Sequence, residues 1–150
     1  MVTAEQIKAL RKKTGISVAL CKKALEQAGG DMAKAEEILL KDSARSAEKK
    51  SDRQLGAGVV EAYVHNNKQI GVMLELKSES DFVSGNEGFR ALAKDIAMHA
   101  TACGPADLNE LLSQPYIKNP EITIKDLINQ AIQKFGEKVE ISRFVRYSLV

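Results

Sequence analysis

Apolar residues recur at helical spacing in three short bursts within the first 40 residues. Ile7 and Leu10 follow Thr3-Ala4-Glu5-Gln6, whose capping-box spacing predicts a helix from about Ala4 that ends at Gly15. Ser17 precedes Val18, Cys21, Ala24, Leu25 and Ala28, a second amphipathic helix stopped by Gly29-Gly30. Asp31 is placed to cap a third, carrying Met32, Ala35, Ile38 and Leu39. From Lys41 to Gln54 large apolar residues vanish and charges of both signs alternate among Ser and Ala. That is the pattern of a linker, with Ala, Glu and Lys content that also favours helix.

The pattern then changes period. Val60, Ala62 and Val64 alternate with Glu61, Tyr63 and His65, as a half-buried strand does. Asn66-Asn67 predicts a tight hairpin turn into a second strand at Lys68, because Asn tolerates positive φ. Ile70, Val72, Leu74 and Leu76 share one face of that strand. Phe89, Leu92, Ala93, Ile96, Ala97 and Ala100 return to helical spacing up to about Cys103, where Gly104-Pro105 stops the helix. Asp107 to Leu112 is compatible with a short helix, and Pro115 and Pro120 bracket an irregular crossing. Ile124, Leu127, Ile128, Ala131, Ile132 and Phe135 predict another amphipathic helix ending at Gly136, and Val139 to Val150 alternates as a final strand. The expected fold is α+β: a three-helix module over 1–41, a charged linker over 42–56, and a ββααβ domain over 57–150. Its small antiparallel sheet carries helices on one face.

Between the second strand and the long helix lies Ser78-Glu79-Ser80-Asp81-Phe82-Val83-Ser84-Gly85-Asn86, polar except for Phe82 and Val83. A connection held at both ends is stiff, so a Phe and a carboxylate on it can project in a fixed direction. Local chemistry favours the plainer reading, in which Phe82 folds back as a staple beside the helix start and Asp81 makes a turn.

Composition narrows the function classes. The net charge of +2 and the lack of a dense basic tract give no footprint for nucleic acid. No apolar run approaches the roughly 20 residues that span a bilayer. The only cysteines, Cys21 and Cys103, are far apart in sequence, which fits a reducing compartment and makes the cytoplasm the expected location. No phosphate-cradling Gly loop or dinucleotide fingerprint is present, so no cofactor is expected. His99 and Cys103 stand four apart on one helix, a spacing that could hold metal in a small metal-dependent enzyme, but structural zinc wants four ligands. Binding rather than catalysis is therefore expected. Candidate surfaces are the turn and helix start from Gly15 to Lys23, the Ser80–Val83 tip, the hairpin at His65, and Gly136. Each also has a plain structural role: Val18 and Leu20 as module core, His65 as an exposed polar residue, Gly136 as a helix C-cap.

Taken together, the motifs resemble bacterial translation elongation factor Ts. Thr14-Gly15, then Cys21-Lys22-Lys23-Ala24-Leu25 and Gly30-Asp31, look like that family's N-terminal domain, a three-helix fold shared with ubiquitin-associated domains. Ser80-Asp81-Phe82-Val83 resembles the family's Thr-Asp-Phe-Val signature. Phe135-Gly136-Glu137-Lys138-Val139 and Arg143-Phe144 resemble its closing helix and strand. The resemblance implies a guanine-nucleotide exchange factor for elongation factor Tu, without enzymatic chemistry. It implies that Asp81 and Phe82 intrude near the magnesium and phosphate site of the GTPase, flanked by Ser80 and Val83, so that Phe82 points outward. The expected arrangement then has Val83 turned inward to anchor the tip. It further implies that His65 acts on the phosphate-binding loop, that Gly136 lies in the same functional surface, and that Val18, Ala19, Cys21 and Lys22 dock the N-terminal module.

The chain departs from the family in places. Val18-Ala19-Leu20 stands where Met-Met-Asp is frequent, Ser80 replaces Thr, and Lys77-Ser78 replaces Asn-Cys. Only one core's worth of sequence is present, and Pro115 to Pro120 is short. Short members of the family are associated with homodimers, and one small sheet with an open face supplies a physical motive for pairing. The alternative is an adaptor, with a ubiquitin-associated-like binding module and a dimerising scaffold. That reading has no evident need for the Asp81-Phe82 tip.

Overall fold

Caps define the N-terminal helices. Thr3 and Gln6 exchange reciprocal side-chain to backbone bonds (3.2 and 3.0 Å) at the start of α1 (Ala4–Thr14). Ser17 caps α2 (Val18–Gln27) and Asp31 caps α3 (Met32–Lys49). Leu10, Ile16, Cys21, Ala24, Leu25, Ala35 and Leu39 form their shared core. The computed structural model describes residues 1–150 as two units, Met1–Asp52 with Asn129–Gly136 and Arg53–Ile128 with Glu137–Val150.

The segment expected as a linker from residue 42 is helical as far as Lys49. Residues 42–49 hold no Gly or Pro, so nothing interrupts the α3 hydrogen-bond ladder. Ser43, fully buried, donates its hydroxyl to Gln133 Oε1, which ties α3 to the C-terminal half of a later helix in the same unit.

In the second unit β1 (Ala57–Val64), β2 (Ile70–Ser78) and β5 (Glu140–Ser148) form an antiparallel sheet in the order β1-β2-β5. The hairpin turn is closed by His65 N–H donating to the Ile70 carbonyl (2.9 Å) and Lys68 N–H to the His65 carbonyl (2.8 Å). Positive φ falls on Lys68 (64°) rather than on either Asn, and the second strand starts at Ile70 rather than Lys68. The inner face of β2 carries Val72, Leu74 and Leu76 as expected, with Tyr63, Glu61 and Val59 of β1 directly opposite. Val60, Ala62 and Val64 therefore face outward, the reverse of what their apolar character predicts. Register decides this: Val59 pairs with buried Leu76, and adjacent residues of a strand cannot share a face, so Val60 points the other way.

After β2 come α4 (Asp81–Ser84), α5 (Glu87–Cys103) and α6 (Leu108–Ser113). α5 packs on β1 and β2, burying Phe89, Ala93, Ile96, Ala97 and Ala100. The region expected to cross irregularly is a second, two-stranded sheet, β3 (Pro115–Tyr116) with β4 (Asn119–Thr123). Its prolines are tolerated because only two strands pair and both are edges. α7 (Ile124–Phe135) begins at a reciprocal Thr123–Asp126 cap and ends at Gly136. No helix is long and apolar enough to cross a membrane.

Candidate functional site

β2 delivers its last residue, Ser78, buried, with its hydroxyl donating to the Ser80 carbonyl at 2.9 Å. Ser80 is extended (φ −129°, ψ 159°), and the chain then makes the single helical turn α4. Ser84 N–H donates to the Ser80 carbonyl (3.2 Å), Gly85 N–H to Asp81 (2.8 Å) and Asn86 N–H to Val83 (3.0 Å). A Cβ at Gly85 would lie 2.9 Å from the Asp81 carbonyl oxygen, so this turn closes only around glycine. The Asn86 side chain then accepts from Gly88 N–H (2.7 Å) to start α5.

Adjacent residues on the turn part company. Val83 is 8% exposed, on a turn that packs against β1, β2 and α5. Phe82 is 93% exposed, with exposed Asp81 beside it. Of the two expectations, the staple reading of Phe82 falls and the outward one stands, with Phe82 projecting and Val83 as the anchor.

The base of the turn is held by two carboxylates that sequence reasoning missed. Glu137 Oε1 accepts from Glu79 N–H (3.1 Å) and Ser80 N–H (3.0 Å), and its Oε2 accepts the Ser80 hydroxyl. In return Glu79 Oε2 accepts from Lys138 N–H (2.6 Å) and the Arg53 guanidinium (3.3 Å). No periodicity links positions nearly 60 residues apart. The only available signal was that Glu137 lies inside the Phe135–Val139 run.

His65 lies at the hairpin end of the β1–β2 ladder, whereas the tip follows Ser78 at the open end, opposite Ala57. At about 3.3 Å per residue the ladder separates them by roughly 25 Å. One chain does not bring His65 and Phe82 together. His65 is exposed, 6.4 Å from the Tyr63 ring, and borders a cavity of about 430 Å³ with Ile70, Met98 and Ile117.

Four other predicted residues belong to the first unit, together with Gly136. Val18 (48% exposed), Ala19 and Lys22 lie on the surface of α2, but Cys21 is fully buried, with its thiol 3.5 Å from the Ile16 carbonyl. Burial pushes that thiol's pKa up. Cys21 is core, because its helical position faces Leu10 and Leu39 of the same cluster rather than solvent. Gly136 caps α7 at φ +73° with open space around it, so left-handed backbone and not crowding calls for glycine.

His99 is buried, and both its ring nitrogens are engaged. Nδ1 accepts from Ile117 N–H (3.1 Å), which leaves Nε2 to donate to Gln114 Oε1 (2.9 Å). Cys103 Sγ is 3.8 Å from Nδ1. The His99–Cys103 pair therefore helps seat β3 on α5 and offers no free nitrogen to a metal. Desolvation lowers the His99 pKa.

The outer face of the sheet forms rows across its strands: Val64–Gly71–Tyr147, Ala62–Met73–Val145, then Val60–Glu75–Arg143. Val60, Val64, Met73, Val145 and Tyr147 are all exposed. Arg143 bonds Glu75 at 3.0 Å, and Ser142, at a bulge, adds a hydroxyl at 2.8 Å. Those two contacts lower the Glu75 pKa.

Comparison with known proteins covers both units. A family model described as elongation factor Ts matches residues 79–149, and one described as elongation factor Ts, mitochondrial, N-terminal, matches residues 1–47. Elongation factor Ts of Carboxydothermus hydrogenoformans is 38% identical, over 99% of this chain and 89% of its own length. That of Thermodesulfovibrio yellowstonii is 38% identical over 99% and 96%, and that of Desulforamulus reducens 39% over 99% and 89%. The first alignment runs over 194 positions against 150 residues here, so that relative carries at least 44 residues without a counterpart.

Proposed function

The chain belongs to the elongation factor Ts family, and from that premise we propose that it is a guanine-nucleotide exchange factor for elongation factor Tu, acting in the cytoplasm. The observation that carries this reading is an almost fully exposed Phe82 on a turn held by Ser80 on one side and buried Val83 on the other. A soluble domain gains nothing in folding from holding a Phe in water, so its benefit lies in a complex.

Exchange needs no covalent chemistry. A factor that binds the nucleotide-free GTPase more tightly than the GDP-bound form weakens GDP by the same factor. Magnesium demands near-ideal octahedral geometry, so an aromatic side chain pressed beside it displaces ligands out of proportion to the movement. Burying Phe82 in the GTPase supplies about 1.5–3 kcal/mol toward that distortion. Asp81 supports the contact, Ser80 and Val83 seat the pair, and His65 and Gly136 contribute at further points. Val18, Ala19 and Lys22 form the docking surface of the first unit, with Cys21 beneath them.

The factor works as a homodimer paired through the outer face of its sheet. Two apolar rows, with the Glu75–Arg143 pair at their edge, suit a second copy. With a two-fold axis across the strands, the hairpin end of one copy meets the tip end of the other, so both reach one GTPase.

The test is the release of a fluorescent GDP analogue from elongation factor Tu with and without the protein. Strong acceleration is expected, and strong loss of it in Asp81→Ala. No acceleration by the intact protein overturns the reading and returns the adaptor to the lead.

A further inference from the structure

We infer that Glu137 is a positioning residue for exchange, whose carboxylate fixes the direction in which Phe82 leaves the fold; the inference rests on the exchange reading above. A lone helical turn of four residues has too few bonds of its own to persist, so its start must be held from outside. Ser80 stands at the N-cap, yet makes no side-chain bond to its own turn. Its hydroxyl goes instead to Glu137, a residue on the far side of α5, α6 and α7 in sequence. Glu137 takes three donors on two oxygens, two of them successive backbone N–H groups immediately before Asp81. A carboxylate suits this work because it accepts only and has lone pairs for every donor.

The return contacts make the tie two-way. Glu79 accepts from Lys138 N–H and Arg53, so residues 79–80 and 137–138 are crossed through both carboxylates. Buried Val83 holds the other side of the turn. Phe82 lies between these two fixed points and inherits its direction from them. Glu137 itself need not touch the GTPase. Since a misplacement of about 1 Å can cost on the order of a hundredfold in a positioned reaction, loosening the clamp should lower the maximal exchange rate about tenfold.

Glu137→Ala and Glu137→Gln are compared for GDP-analogue release at saturating factor, each alone and combined with Phe82→Ala. Gln keeps an oxygen for the two N–H groups and an amide N–H for the Ser80 hydroxyl. The expected result is a roughly tenfold fall in maximal rate for Ala, recovery with Gln, and no further fall from Ala when Phe82 is already gone. A parent rate in the Ala variant overturns the inference, as does an equal fall in the Phe82→Ala background. A second readout needs no partner: the chain has no Trp, so Phe82→Trp reports tip motion by time-resolved anisotropy. Glu137→Ala should speed that motion and Glu137→Gln should not; an unchanged decay overturns the clamp. Failure of the intact protein to release GDP would instead strike the exchange reading, while the anisotropy still decides the clamp.

Discussion

Alanine at position 82 and alanine at position 83 should fail in opposite ways. Phe82 is 93% exposed, so truncating it removes almost no packing, and stability should stay within about 0.5 kcal/mol of the parent. Val83 is 8% exposed, and losing its two methyl groups should cost about 1.6 kcal/mol of transfer free energy plus a cavity term. Exchange reverses the order. Losing about 1.5–3 kcal/mol of Phe82 burial in the complex corresponds to roughly a 10- to 150-fold lower rate at about 1.4 kcal/mol per decade. Val83→Ala should lose less activity than Phe82→Ala below its unfolding range, because one of the two fixed points, the Glu137 clamp, still holds the turn. Stability is best read from amide hydrogen exchange in β2, which reports the second unit by itself. The release of a GDP analogue supplies the rate. A destabilisation above about 1 kcal/mol in Phe82→Ala, with a neutral Val83→Ala, would show that the anchor and the projecting residue had been exchanged.

Three further outcomes are expected. His99, uncharged and held below its ordinary value of 6.5 by desolvation, binds fewer protons than in the unfolded chain. Its contribution is therefore complete above that pH and declines as pH falls below it, and urea midpoints between pH 7.5 and 5 should slope less in His99→Gln. Gly136→Ala, at φ +73° in open space, should cost about 1 kcal/mol by thermal unfolding, and Gly136→Asn less. Met73→Lys, at the centre of the outer sheet face, should leave circular dichroism unchanged and convert a sedimenting dimer to monomer; a parent that sediments as monomer refutes the pairing.

Where local chemistry suffices, the chain announces its structure. Thr3, Ser17, Asp31 and Gly15 each act on backbone groups within four residues, so their caps are visible in a short window. The inner face of β2 is equally plain, because Val72, Leu74 and Leu76 alternate with residues that tolerate exposure. β1 is misleading because it carries apolar residues on both faces. Val59 and Tyr63 lie inward and Val60 and Val64 outward, and only pairing with β2 chooses between them. The family signature around Phe82 is legible for a different reason: it is a run of four adjacent residues.

What the residues determined by themselves were the helices, their caps, the β2 core face and the existence of a stiff connection at residues 79–86. Local chemistry pointed Phe82 inward, the family resemblance pointed it outward with Val83 as anchor, and the structure has the second arrangement. Tertiary structure alone decided that Cys21 is core while Val18 is surface, and that Glu137 holds the turn. Helical and strand periodicities describe which residues share a face, not which face meets the core. The direction of a side chain on a four-residue turn depends on bonds to a segment nearly 60 residues away, and spacing along the chain does not encode that distance.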